Sequence, residues 1–270
     1  MSFSIGILSG MGPRSTGPFI DLIITECQLQ YGALYDIDYP EMHIISLPTP
    51  FYPDKIIDDE KMVQVLKYGV SSLVSSGVSL IVVPCNFAHK YFSEMLRAGL
   101  DTPLLHIADS ALMYIPKEAL NIAVIGTAPT LDSNLYQERI FNSGKKYVSS
   151  NELCDRATET IKLIKEKGYD NRNVIDSWFM LLNCVDSLGV DALLIACTDI
   201  SPLMKRTTMC NYHFVIVDTS RSLAASAVKA YCNHGKAISP IDLNHQVGYL
   251  RELCNNSQTG EHKKLWGSRD

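Results

Sequence analysis

Short apolar runs alternate with amphipathic stretches along this chain, and the series occurs once in each half. In the first half, Ile5-Gly6-Ile7-Leu8, Met42 to Leu47 and Val78 to Val83 read as buried strands. An apolar-periodic stretch to about Tyr31 follows the first. Asp58 to Ser76 follows the second, with Val63, Leu66, Val70, Leu73 and Val74 at helical spacing. Gly77 closes that helix, as glycine does just past a helix end. His89 to Gly99 reads as a further helix, and Leu104-Leu105-His106-Ile107 continues the alternation. In the second half Ile122 to Ile125, Val190 to Ala196 and Phe214 to Val217 read as strands. Helices are expected from about Asp132, over Val174 to Leu188, and over Ser222 to Cys232. Alternation of this kind implies βαβ units, parallel sheets and right-handed crossovers that cover both faces. The predicted fold is α/β, with two similar lobes. Each lobe is a mainly parallel sheet flanked by helices, and the site lies in the cleft between them. The expected division assigns 1–115 plus 219–254 to the first lobe and 116–218 to the second. The polar and charged stretch 255–270 is expected to be an exposed tail.

Composition removes several classes of function. Hydrophobic residues make up 46% of 270 positions, too many for a disordered chain. The formal net charge is −5 and there is no long basic run, so no nucleic-acid partner is expected. The apolar runs fall short of the roughly 18–20 residues a membrane span needs, so no membrane partner is expected either. Ser2 to Leu8 reads as a first strand rather than a signal peptide, which makes a cytoplasmic location the expectation. Eight cysteines are present, at 27, 85, 154, 184, 197, 210, 232 and 254. None forms a CxxC pair, so no structural zinc site is expected. Most read as small core hydrophobes, Cys184 among them.

Two cysteines differ in context. Cys85 ends Leu80-Ile81-Val82-Val83-Pro84, and Cys197 ends Ala192-Leu193-Leu194-Ile195-Ala196. Each stands at a matching point of one half, which suggests two thiols facing one cleft, an acid on one side of a substrate and a base on the other. Ligands of open α/β sheets bind outside the carboxyl ends of the strands. Four loops fall there: Ser9 to Ser15, Pro84 to His89, Gly126 to Thr130 with Thr127, and Cys197 to Ser201. Each leads towards a helix start, where free N–H groups favour an anion such as a carboxylate. A helix start also lowers a thiol pKa from about 8.5, and both cysteines are expected to benefit. Asn86 and Thr198 are placed either to donate to a bound carboxylate or to cap a helix. His89, four residues past Cys85, either tunes the thiol or holds the backbone. Asp199 either acts on Cys197 or favours the helix dipole. His106 reads as a core or lobe-interface residue.

The stretches Ile5-Gly6-Ile7-Leu8-Ser9-Gly10-Met11-Gly12-Pro13, Pro84-Cys85-Asn86-Phe87-Ala88-His89 and Ala196-Cys197-Thr198-Asp199-Ile200 together resemble the aspartate/glutamate racemase family. Leu105-His106-Ile107-Ala108-Asp109 and Val217-Asp218-Thr219 add to the likeness, which runs to about residue 232. The resemblance implies racemization of an amino acid, aspartate or glutamate first, by two-base proton transfer between Cys85 and Cys197. It implies no cofactor, neither pyridoxal phosphate nor metal, and commonly a homodimer. It places Met11, Gly12, Asn86 and Thr198 on the substrate.

The chain departs from the family pattern at four points. Phe87 replaces the usual Thr, and Asp199 replaces the usual Glu. Lys55 stands where aspartate-selective members carry an arginine, which keeps the charge but loses the bidentate fork. The slot of a further family lysine falls at about Glu166, flanked by Lys165 and Lys167. These departures leave room for a broader or less acidic substrate. A maleate-type isomerase, with one cysteine as nucleophile, and a silent carboxylate-binding protein remain as alternatives.

Overall fold

The two apolar series become two separate parallel sheets. A computed structural model describes residues 3–51, 56–207 and 212–233. The first half forms β1 (Ser4–Ser9), α1 (Thr16–Tyr31), β2 (Glu41–Ser46), α2 (Asp59–Ser75), β3 (Leu80–Val82), α3 (Phe92–Ala98) and α4 (Ile107–Leu112). The second forms β4 (Asn121–Gly126), α5 (Ala128–Asp132), α6 (Gln137–Asn142), β5 (Lys146–Val148), α7 (Asn151–Lys167), α8 (Arg172–Ser187), β6 (Ala192–Ala196), β7 (Val215–Asp218) and α9 (Thr219–Cys232). The sheet orders are β2-β1-β3 and β5-β4-β6-β7, and every pairing is parallel.

Strands β1 and β6 are buried along their whole length, as expected of parallel strands covered on both faces. Phe19, Ile23 and Cys27 of α1 and Leu223, Ala227 and Val228 of α9 cover one face of the first sheet. Leu66, Val70 and Leu73 of α2 belong to the core on its other face, with Ile81 and Val83. Ile161 and Ile164 of α7 and Trp178, Leu181 and Val185 of α8 share a core with Ile125 and Leu193 of the second sheet. The chain therefore leaves the second sheet at β7 and packs its next helix on the first. Because all strands within a sheet run the same way, the loops after β1, β3, β4 and β6 gather at the carboxyl edges.

Several local expectations are corrected by the structure. Leu104 makes one parallel bridge to Ile81 instead of starting a strand. His106 ends that extended run, because its Nδ1 accepts from the Ala108 N–H and caps α4. The predicted single helix from His89 is a 3₁₀ turn over Phe87–Tyr91 followed by α3. Lys90 and Tyr91 in that turn both reach Asp59 at the start of α2. The helix expected from Asp132 is two short pieces, α5 and α6, separated where Asn134 adopts a left-handed φ of +55°. The edge strand β5 leaves no apolar run in the sequence, since it is three residues long with no buried side chain. No helix among the described residues is long and apolar enough to cross a membrane.

Candidate active site

A cavity of about 480 Å³ lies where the carboxyl edges of the two sheets meet. The loop after β1 contributes Gly10, Met11 and Gly12. Gly10 has φ +94°, and a Cβ there would stand 2.5 Å from the Leu47 carbonyl oxygen, so the turn requires glycine. The loop after β3 contributes Cys85, Asn86 and Phe87, and the loop after β6 contributes Cys197, Thr198 and Asp199. Thr127 enters from the loop after β4, with its hydroxyl 2.9 Å from that of Thr130. Leu47, Phe51, Met62 and Phe87 form an apolar wall, where Phe87 packs on Phe51 with ring centres 5.4 Å apart. Lys55 lies outside the described residues.

Both thiols face this cavity, and neither is disulfide-bonded. The expected lowering of their pKa by helix starts is not the outcome. The N–H groups of Ala88 and Phe87 do favour the Cys85 thiolate, and that of Asp199 favours Cys197. Burial outweighs them and pushes Cys85 up to about 11, with the Asp199 charge adding to the rise. Cys197 is pushed up further, again first by burial and then by Asp199. The turns that follow are short 3₁₀ segments, which offer a few oriented N–H groups rather than a long helix dipole.

Asn86 and Thr198 tie the halves together. Tyr136 of the second half donates its hydroxyl to Asn86 Oδ1. Asn86 Nδ2 donates to Thr219 Oγ1 at 3.0 Å, and Thr219 Oγ1 donates to the Ile195 carbonyl at 2.8 Å. One amide hydrogen of Asn86 is therefore committed, and the other is the one available to a ligand. Thr198 Oγ1 lies 3.3 Å from Ser15 Oγ, and Ser15 Oγ donates to the Gly12 carbonyl at 2.8 Å. The first set joins the loop after β3 to Tyr136, α9 and β6, and the second joins the loop after β6 to the loop after β1.

His89 does not line the cavity. Its Nε2 lies 3.0 Å from the Val83 carbonyl, which can only accept, so Nε2 carries the proton. Burial, helped by the nearby His106, lowers its pKa to about 3, and the ring is neutral. Of its two sequence readings, the structure shows the one that holds the backbone, two residues before Cys85.

The sequence reading does not assign Leu47, Phe51, Met62 or Lys165 to the site, and of these Lys165 is the charged one. Lys165, on α7, lines the cavity and places Nζ 2.7 Å from Asp199 Oδ2. Asp199 is buried, and its Oδ1 has no hydrogen-bond partner. Burial disfavours the Lys165 charge, but Asp199 and the thiols outweigh it and the pKa rises. A signal for Lys165 exists in the sequence. Leu153, Ala157, Thr160, Ile161 and Ile164 form the buried stripe of α7, and Lys165 follows Ile161 by four residues. Glu166 and Lys167 step away from that face. Among the described residues no group of three or more His, Cys, Asp or Glu is placed to hold a metal ion.

The family model described as Asp/Glu/Hydantoin racemase matches residues 8–227. The chain is 38% identical to the broad specificity amino-acid racemase RacX of Bacillus subtilis (strain 168), over 84% of this chain and 97% of that one. It is 29% identical to a glutamate racemase of Aquifex aeolicus (strain VF5), over 73% and 76% of the two chains. Among solved structures, the Picrophilus torridus aspartate racemase superposes with a TM-score of 0.72 at 24% identity, covering 90% of this chain and 99% of that one. That likeness speaks to the fold.

Proposed function

The chain belongs to the Asp/Glu/Hydantoin racemase family, and on that premise we propose that it racemizes amino acids by moving protons between Cys85 and Cys197. The observation that carries the reading is the pair of thiols, one from each half, lining a single cavity. One cysteine, as thiolate, takes the α-proton. The electron pair of the broken C–H bond passes to the α-carbon and into the adjacent carboxylate. The other cysteine, as thiol, gives its proton to the opposite face of that carbon and is left as thiolate. Configuration inverts, no electron is gained or lost, and the two cysteines exchange protonation states. The reaction read in this way asks for neither pyridoxal phosphate nor metal. Thr198, the free amide hydrogen of Asn86 and the Met11–Gly12 turn are the groups assigned to the α-carboxylate.

The proposed substrate range extends beyond aspartate and glutamate. Lys165, the cation on the described part of the cavity wall, is already paired with Asp199. The wall of Leu47, Phe51, Met62 and Phe87 suits apolar side chains as well as acidic ones. The similarity to a relative named for broad specificity points the same way.

The test is incubation of the protein with L- and D-amino acids in D₂O, followed by NMR of the α-proton. Exchange with solvent and loss of optical activity are expected for several amino acids. Cys85→Ala and Cys197→Ala each abolish racemization. If none of the amino acids exchanges while maleate is isomerized, the racemase assignment is wrong and the cysteine acts as a nucleophile.

A further inference from the structure

We infer that Asp199 is the acceptor for the α-ammonium group of the substrate. The inference deepens the amino-acid reading above and rests on it, but its test has a separate readout. Asp199 is 4% exposed and lines the cavity. Its two oxygens are unequal. Oδ2 is held by Lys165 at 2.7 Å, whereas Oδ1 is buried and has no partner. An unpaired, buried carboxylate oxygen is costly to keep and calls for a reason, and a cationic ligand arriving in the cavity supplies one. The last torsion of an aspartate is soft and two-fold, so rotation of the carboxylate brings Oδ1 towards a ligand without a backbone change. Lys165 Nζ sits on a flexible stem and can follow.

Position identifies which cation fits. Asp199 follows Cys197 by two residues in the loop after β6, and its backbone N–H favours the Cys197 thiolate, so the carboxylate belongs to the same turn as the thiol. A carbon that exchanges its proton with Cys197 must lie within reach of that sulfur. In an amino acid the nitrogen is about 1.5 Å from that carbon. The α-ammonium is therefore the cation that arrives beside Asp199, ahead of any side-chain cation.

The charge balance agrees. The Asp199 charge opposes ionisation of both thiols in the empty cavity. An ammonium against Oδ1 offsets that charge as the substrate binds. A 2-hydroxy acid of the same skeleton carries the same α-carboxylate without the cation, and cannot do so. Asp199 thus selects amino acids over their hydroxy analogues.

The experiment is calorimetric binding of matched pairs, aspartate with malate and leucine with 2-hydroxyisocaproate, to the wild type, Asp199→Asn, Asp199→Glu and Lys165→Met. The wild type is expected to prefer the amino member of a pair by about tenfold or more, as for a charge-assisted contact. Asp199→Asn reduces that preference to within about twofold, and Asp199→Glu retains it. Lys165→Met leaves the carboxylate in place and keeps the preference, whereas a merely structural ion pair would make Lys165→Met and Asp199→Asn behave alike. Should Asp199→Asn fail to fold, the Lys165→Met result decides: loss of the preference there overturns the assignment. An unchanged preference in folded Asp199→Asn also overturns it, as does a wild type that binds both members equally or neither. Selective binding of amino acids without any α-proton exchange keeps Asp199 as the ammonium acceptor and removes the racemase reading.

Discussion

Replacing Thr219 with valine tests whether the hydrogen-bond chain across the two halves holds the molecule together. Thr219 is fully buried at the first position of α9, and its hydroxyl has two tasks. It donates to the Ile195 carbonyl of β6 and accepts from Asn86 Nδ2, beside Cys85. Valine has the same shape, so the loss is confined to the hydroxyl and packing is preserved. Asn86 is also buried, and one of its amide hydrogens then has no acceptor. The Ile195 carbonyl loses one donor. Leaving a buried polar group unsatisfied costs about 1–3 kcal/mol, so the two together place the loss at about 2–4 kcal/mol. For a domain of this size that corresponds to a fall in Tm of roughly 5–15 °C. Equilibrium urea denaturation followed by circular dichroism measures it, with Thr219→Ser as the control that keeps the hydroxyl. Thr219→Ser is expected to lose only the small contribution of a buried methyl group. A Thr219→Val protein within about 0.5 kcal/mol of wild type would show that the chain contributes little, and the reasoning about Asn86 would fail with it.

Three more outcomes are expected. Gly12→Ala places a Cβ 3.1 Å from Asp199 Oδ1 and 3.3 Å from Lys165 Nζ; kcat/KM should fall about tenfold or more, since small displacements in a reacting site are amplified, while Tm stays within a few degrees. Asp199→Asn should shift the pH midpoint of iodoacetamide alkylation of Cys85 downwards from about 11, because it removes one of the charges that oppose the thiolate and frees Lys165 to favour it; a midpoint that stays or rises contradicts this. His89 titrates near 3 when folded and His106 near 4, against about 6.5 when unfolded. The unfolded chain therefore binds more protons below that value, and stability falls as pH drops from about 6.5 towards 3, by up to about 1.4 kcal/mol per pH unit for each ring. His89→Gln should flatten part of that slope in pH-dependent urea titrations, and an identical slope would mean that His89 is not buried neutral.

The apolar runs identified the sheets because parallel strands covered on both faces leave a continuous hydrophobic signature, as in Ile5 to Leu8 and Ala192 to Ala196. The boundaries that differ from the sequence expectation are those set by single polar contacts or single backbone angles. His106 became a cap through one imidazole nitrogen, and Asn134 broke a helix through one left-handed φ. Neither leaves a periodic trace. The residues now seen on the cavity wall mostly follow strand ends, a position that sequence does mark. Lys165 comes from the far end of a 17-residue helix, and its neighbours Glu166 and Lys167 are charged as well. Choosing among the three requires the phase of the buried stripe, which depends on which apolar residues of α7 face the second sheet. The thiol shifts run opposite to the local expectation for a related reason. Oriented N–H groups are inferred from local sequence, but burial is a property of the assembled cleft, and here it is the larger effect.

That ordering of effects bears on how such a site is activated. With its pKa near 11, Cys85 in the empty cavity is thiolate in only about one molecule in a thousand at pH 8. Cys197 is ionised less still. A two-thiol mechanism nevertheless needs one thiolate for every turnover, so the resting molecule is not the reacting one. Burial cannot be relieved by substrate, which excludes water and buries the thiols further. The Asp199 charge can be, because a cation bound beside it offsets its influence on both sulfurs at once. The part of the ionisation cost that comes from Asp199 is then lifted at the moment the substrate supplies its ammonium, and the larger part set by burial remains. A site built this way keeps both cysteines protonated, and so poorly reactive towards oxidants, whenever it is empty.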